Sequence, residues 1–436
     1  MIFKLFLIIC SLNFSLSLLS SSDFFVNQVD LESESLLKKV TEWRQHLHQH
    51  PELSNREFKT AKYIEKHLKS LGLEVETGIA KTGLIAILKG SKPGPMVALR
   101  ADMDALPVVE QTGLPFASKE RSTFNGLDVG VMHACGHDAH MAILMGVAEF
   151  FSKHQDKLVG SIMFIFQPAE EGPPVGEEGG AKLMLKEGIF KKNKPDVVFG
   201  LHVNPAPDGI IAYREGPTMA AADSWKIIIK GKQAHGSAPW AGVDPIMISS
   251  QIVSAFNTIV SRKLDIRNLP AVVTVGSIHG GVRSNIIPDE VIMEGTVRTY
   301  DPKMREKIIE EMTTIAKSTA EMNGGSAEVI IPNGNNYPVT INDPDLTKRV
   351  LPVLEKVVDR KEFLVRTDRS TGAEDFSYYA QQVPGFFFFL GVTEAGKDWT
   401  KVAGNHSPFF VVSDESLDTG VKAFVHLTTG YLFKEY

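Results

Sequence analysis

Apolar positions along the chain fall into two rhythms. In 33–49, Leu36, Val40, Trp43 and Leu47 recur at helical spacing and Pro51 stops the run, which predicts a helix. Phe58, Ala61, Ile64 and Leu68 repeat the pattern in 55–71, ahead of Gly72, and predict a second helix packed on the first. His46, His48 and His50, near the end of the first helix, read as surface histidines. Short continuous apolar runs occupy 73–75, 83–88, 96–99, 161–166, 197–201 and 386–390. Continuous rather than alternating runs, interleaved with helices, predict strands covered on both faces of an α/β sheet. Between 96–99 and 161–166, Asp138 is expected to cap a helix running through Met141, Leu144 and Val147.

The pattern changes between about Tyr213 and Ala327. Residues 223–230 alternate as a half-buried strand, 244–260 read as an amphipathic helix, 272–278 and 291–299 as strands, 302–322 as a helix, and 327–331 as a last strand. Strand, helix, strand, strand, helix, strand is the ferredoxin-like order. The expected architecture is therefore two-domain: an α/β main domain built from 31–212 and 332–436, interrupted by an α+β insert at 213–331.

Composition narrows the function. A chain of 436 residues exceeds one ordinary core, and 43% apolar with 22% charged is ordinary for a globular protein. A formal net charge of -6 gives no basic footprint, which argues against nucleic acid and for a small-molecule partner. Residues 1–22 stand apart: Lys4 precedes a mostly apolar stretch to Leu19 that ends in serines. This reads as a secretory signal peptide, so the mature protein is expected in the periplasm, the medium or a secretory lumen. Cleavage removes Cys10 and leaves Cys135 alone, as a ligand, a reactive thiol or a core residue.

Chemistry concentrates in His133-Ala134-Cys135-Gly136-His137-Asp138-Ala139-His140. Cys135 and His137 are two apart, so on a strand or extended loop they project to one side, and thiolate with imidazole suits zinc-like metals. Further donors lie just past the apolar runs: Asp102 and Asp104 after 96–99, Glu170 and Glu171 after Gln167-Pro168-Ala169, His202 immediately beyond 197–201, and His406 in the loop after 386–390. Ligands gather at the carboxyl edge of such sheets. Each signal has a plain alternative: a solvated Glu-Glu turn, strand-end histidines, a small buried cysteine. Five ligand-type groups at one edge are hard to obtain from packing alone. Together they would hold one or two ions, a cocatalytic pair standing about 4 Å apart. Of two adjacent acids, one can bind a cation while its neighbour acts as general base.

The chain resembles the M20 family of metallopeptidases, in its amidohydrolase branch of hippurate hydrolases, N-acyl-amino-acid amidohydrolases and auxin-conjugate hydrolases. The matching stretches are Arg100-Ala101-Asp102-Met103-Asp104-Ala105-Leu106-Pro107, His133 to Asp138, Gln167 to Glu171, Gly200-Leu201-His202, Ala234-His235-Gly236-Ser237-Ala238-Pro239, Ser284-Asn285-Ile286-Ile287-Pro288-Asp289, Gly372-Ala373-Glu374-Asp375-Phe376 and His406-Ser407-Pro408. The resemblance implies a zinc-peptidase-like catalytic domain whose insert serves as lid and dimerisation domain. It implies Cys135, His137, Glu171, His202 and His406 as ligands of two divalent ions, and Glu170 as the base. His235 would steady the oxyanion in a neighbouring subunit's site, and Asn285 and Arg298 would contact substrate. Asp102 and Asp138 are expected to orient metal-bound imidazoles. The activity implied is metal-dependent hydrolysis of N-acyl amino acids by a homodimer. The rivals are a dipeptidase or carboxypeptidase of the same superfamily and a silent metal-stabilised binding protein. One thiolate among imidazoles and carboxylates fits zinc, manganese, cobalt or nickel.

Overall fold

The computed structural model describes residues 21–267, 269–334 and 336–436. The expected signal peptide thus falls almost wholly outside the described residues. Its last two positions, Ser21 and Ser22, open a helix that runs unbroken from Ser21 to Gln49, 12 residues ahead of the helix expected at 33. Phe25 and Val29 explain the extension, because they continue the stripe of Leu36, Val40 and Leu47 and are themselves buried. Among the described residues no helix is long and apolar enough to cross a membrane.

The eight strands of the main sheet are β1 (Val75–Ile79), β2 (Gly83–Lys89), β3 (Lys92–Asp102), β4 (Val159–Gln167), β5 (Val197–Pro207), β6 (Ile211–Tyr213), β7 (Leu364–Arg366) and β8 (Gly385–Thr393). Their order is β1-β2-β4-β3-β5-β8-β6-β7. The centre, β4-β3-β5-β8, is parallel, and every residue of β8 is buried, as a continuous apolar run requires of a strand packed on both faces. One face carries the helices Ser21–Gln49, His137–Lys153 and Ser416–Leu432. The other carries the short helices Gly180–Lys186 and Ser377–Ala380. The helix His137–Lys153 is buried nearly all round, which its lack of a polar face permits.

A second sheet is antiparallel throughout. Its path runs Ala271–Gly280, Glu290–Thr299, Ala221–Lys230, Ser326–Ile330. In chain order these are strands two, three, one and four, the spatial order of a split β-α-β unit. Along Ala221–Lys230 buried and less buried positions alternate, placing Trp225, Ile227 and Ile229 under the helices Pro245–Thr258 and Pro302–Met322. Asp244 and Asp301 cap those helices ahead of a proline, Asp244 accepting the amide hydrogens of Ile246 and Met247 and Asp301 that of Met304. The chain leaves and re-enters the main sheet through a neck in which Gly216–Met219 pairs with Thr340–Asn342. There Asn336–Tyr337 adds to the second sheet at Asp223 and Ala222.

Candidate metal centre

The centre is assembled at the carboxyl edge of the parallel strands. Asp102 ends β3 in register with Gln167 at the end of β4, so the segments leaving the two strands emerge side by side. Beyond β4 the chain turns sharply, with Ala169 held at φ +52°, a region costly for a side-chain-bearing residue and found where the surroundings enforce it. The enforcement is visible. Asp104 Oδ1 accepts the Glu170 N–H and Oδ2 the Glu171 N–H, both at 3.0 Å, and Ser54 Oγ donates to Oδ2 at 2.7 Å. Glu57 Oε1 accepts the Ala169 N–H at 2.9 Å, and the Tyr337 hydroxyl donates to the Glu170 carbonyl at 2.6 Å. The backbone of the two acids is therefore fixed independently of their side chains.

Cys135 and His137 do not share an extended segment, the arrangement that their spacing predicts. Gly136 between them adopts φ +88° and is the N-cap of the helix His137–Lys153. A β-carbon there would lie 2.3 Å from Val203 Cγ2, so only glycine fits. The turn points both side chains at β5. His202 lies within that strand rather than past its end, opposite Phe389 of β8. The His406 loop is tied to the same place: its N–H donates to the Ala134 carbonyl at 2.8 Å, and Asn405 Nδ2 donates to the carbonyls of Cys135 and Val203, each at 3.1 Å.

The hydrogen bonds assign the imidazole tautomers. His137 Nδ1–H donates to the Asp104 carbonyl at 2.7 Å and His202 Nδ1–H to the Val203 carbonyl at 2.8 Å, so Nε2 is the nitrogen each ring can offer to a metal. His202 Nε2 stands 3.3 Å from Cys135 Sγ, while His137 Nε2 is buried without a hydrogen-bond partner. His140 differs, because its Nδ1–H donates to Asp102 Oδ1 at 2.6 Å and its Nε2 accepts the Val203 N–H at 2.9 Å. Both nitrogens are used, which excludes it as a ligand. Donor atoms of Cys135, His137 and His202 lie within 4.8 Å of one another, as do those of Cys135, Glu171 and His406, and those of His137, Glu170 and Glu171. The first two sets share Cys135, which stands between two candidate ion positions.

The electrostatics ask for cations. Burial, reinforced by Glu171 and Glu170, pushes the Cys135 thiol far above its usual range. Burial also pushes Glu170 well up, with Glu374 and Glu171 adding to it. Burial alone would lower His137, yet Asp102 and Asp104 raise it to about 10. In the bare protein this field is answered by protons; a divalent ion would reverse these tendencies, taking a thiolate and neutral imidazoles as ligands. With the buried unpartnered Nε2 of His137, the Nε2 of His202 facing the Cys135 thiol, and two adjacent carboxylates converging, the residues present fit borderline divalent metals. Cys135, Glu170, Glu171, His202 and His406 line a cavity of about 300 Å³ that also takes in Tyr337, Glu374 and Phe389, with His137 buried behind them.

Other expected residues fall elsewhere. His235 is exposed, its Nδ1 accepting from Ser237 N–H at 3.0 Å, and Gly236 N–H donates to the Asn285 carbonyl at 2.8 Å. His235 and Asn285 thus stand together on the second sheet's side, outside the cavity. Arg298 donates to Thr296 Oγ1 and to the Val297 carbonyl on its own strand and also lies outside the cavity. Asp138 neither caps the helix nor orients a metal-bound imidazole: its Oδ2 accepts from Arg44 at 3.3 Å and faces His48 Nδ1 at 2.9 Å. His48 is accordingly buried, unlike its neighbours His46 and His50. Asp102 Oδ1 accepts from His140 while its Oδ2 stands 3.6 Å from His137 Nε2, and the main-chain carbonyl of Asp104 accepts from His137 Nδ1.

Comparison with known proteins agrees with this geometry. Residues 98–429 match the peptidase family M20/M25/M40. Thermostable carboxypeptidase 1 of Saccharolobus solfataricus is 41% identical over 401 residues, covering 91% of this chain and 97% of that protein. N-acetyl-L-cysteine deacetylase of Bacillus subtilis is 39% identical over 392 residues, covering 90% and 87%. Among solved structures, the Bacillus subtilis YXEP protein, described as a dinuclear metal binding peptidase from the M20 family, is 35% identical with a TM-score of 0.74, covering 92% of this chain and 99% of that one. The chain belongs to peptidase family M20/M25/M40 and is a hydrolytic enzyme acting on amide bonds.

Proposed function

We propose that the enzyme hydrolyses N-acyl amino acids, releasing a carboxylic acid and a free amino acid, with two divalent ions held by Cys135, His137, Glu171, His202 and His406. The observation that carries the reading is the pair of adjacent acids whose amides Asp104 clamps: ligation alone has no use for the second carboxylate. Bound ions would supply Lewis acidity toward the amide carbonyl and lower the pKa of a water. Glu170 takes the attacking water's proton and delivers it to the nitrogen as the C–N bond breaks. Met219, Ala373 and Phe389 contribute apolar lining to the cavity, which suits an uncharged acyl group better than the ammonium of an unblocked peptide.

Carboxypeptidase action is the second reading, favoured by the carboxypeptidase relative. Glycine release from benzoylglycine compared with cleavage of unblocked dipeptides separates the two. The acylated substrate is expected to show the higher kcat/KM, and a tenfold preference for dipeptides would transfer the assignment to the rival. Chelation should abolish either activity and lower thermal stability, since ligand at a hundredfold excess over its Kd contributes about 2.7 kcal/mol. Reloading with zinc, manganese, cobalt or nickel should restore both. Silence with all four metals would leave a binding protein.

A further inference from the structure

Tyr337 is absent from the motifs read in the sequence, and it occupies a telling position. It belongs to the two-residue strand Asn336–Tyr337, which pairs with Ala222 and Asp223 at the start of the second sheet's central strand. Its hydroxyl crosses to the main sheet and donates to the Glu170 carbonyl at 2.6 Å. Among the described residues, the side chains that bond the backbone of Ala169, Glu170 and Glu171 are those of Glu57, Asp104 and Tyr337. Glu57 and Asp104 flank the main sheet; Tyr337 alone of the three reaches the turn from the neck. Asn336 is itself held, its carbonyl accepting from the Tyr378 hydroxyl at 2.5 Å. The second sheet is bound to this neck through Asp223, which Arg305 of the helix Pro302–Met322 grips with two bonds of 2.6 Å.

We infer that Tyr337 is a positioning residue: its hydroxyl ties the peptide of Glu170 to the neck, so that the disposition of the second sheet sets where the base stands. The inference rests on the proposed role of Glu170 and adds a residue to it. Glu170 at the end of a turn with φ +52° at Ala169 has one backbone carbonyl exposed to this control, and a swing of the second sheet about its two chain crossings moves Tyr337 with it. Tyr337 also lines the cavity beside Glu170 and Glu171.

The test compares Tyr337→Phe with Tyr378→Phe, which removes a hydroxyl that the helix Ser377–Ala380 donates to the same neck without touching Glu170. Tyr337→Phe is expected to lower kcat about tenfold, the effect of one lost hydrogen bond, with KM within twofold and metal content unchanged. Tyr378→Phe should leave kcat within twofold of wild type. Amide hydrogen exchange of the segment containing Glu170 and Glu171, measured on the metal-loaded proteins, should quicken in Tyr337→Phe and not in Tyr378→Phe. Unchanged exchange with unchanged kcat, a loss confined to KM, a loss of metal with kcat, or equal effects in both variants would each overturn the assignment. If the wild-type enzyme cleaves no acylated substrate, the proposed function fails instead, and the exchange comparison still decides for or against Tyr337.

Discussion

Replacing Glu170 with alanine is expected to lower kcat by about 10²- to 10⁴-fold, the range for loss of a general acid-base group, with metal content near wild type. The side chain lies within reach of His137 and Glu171 but is buried among carboxylates that disfavour its charge. Removing it therefore relieves repulsion and leaves the five donors in place. Thermal stability should hold or rise as activity collapses, a combination that a merely structural role for Glu170 does not produce. The backbone of the turn is held by Asp104, Glu57 and Tyr337, none of which the substitution removes, so the variant reports on the carboxylate alone. Near-normal turnover of every cleaved substrate would remove Glu170 from the mechanism.

The largest effect on stability is expected at Arg100. Its guanidinium is fully buried and donates to Gln167 at 2.9 Å, Asp102 at 2.8 Å, Glu374 at 2.8 Å and Asp375 at 2.9 Å. Burial by itself would lower its pKa, but Asp102, Glu374 and Asp375 outweigh it and hold the guanidinium well above its usual value. One cation among three acids cannot neutralise them all, and burial pushes Glu374 up to about 8 and Asp375 to about 6. Arg100→Met strips the guanidinium from this cluster and leaves buried charge uncompensated, a change that costs about 3–5 kcal/mol, read by denaturant unfolding. Arg100→Lys keeps a charge without the planar fork and should recover only part of the loss. Adding Asp375→Asn to Arg100→Met should recover part of the stability, because Asp375, pushed up only to about 6, is a carboxylate left charged without its cation. A cost below about 1 kcal/mol for Arg100→Met, well under the usual penalty for a broken buried pair, would show that the cluster does not hold the strand ends together.

The edge on which the donors meet is legible in the sequence because buried parallel strands write themselves as continuous apolar runs. Asp102, Glu170, Glu171 and His406 each come after such a run or sit in the next loop, so locating the strands locates them. Fold class comes from the same runs. Other features carry no periodic signal. Phe25 and Val29 lie next to an apolar leader that resembles an export signal more than a helix stripe, so the sequence places the start of the first helix 12 residues late. His48 looks like a helix-end surface histidine, and only the fold brings Asp138, 90 positions away, against it. Asp138 misleads for the same reason: a carboxylate near a helix start suggests a cap, whereas Gly136 with positive φ takes that place. Tyr337 sits on a strand of two residues, too short for any alternation to show. Asp104 is visible as the last member of Arg100-Ala101-Asp102-Met103-Asp104, where alternation sets all three polar side chains on one side. Its role in accepting two amides depends on a turn 66 residues later.

Residues between 135 and 406 must share the same ions for this chemistry to run, and titration of the metal-free protein with cobalt(II) tests that most directly. Thiolate-to-cobalt charge-transfer absorption should grow to saturation in the wild type, vanish in Cys135→Ser, and saturate at a lower metal equivalence in His406→Ala and Glu171→Gln, since Cys135 stands between both sets of donors. Charge-transfer absorption that never appears, or binding stoichiometry that none of the three substitutions alters, would contradict a shared metal centre and with it the proposed hydrolysis.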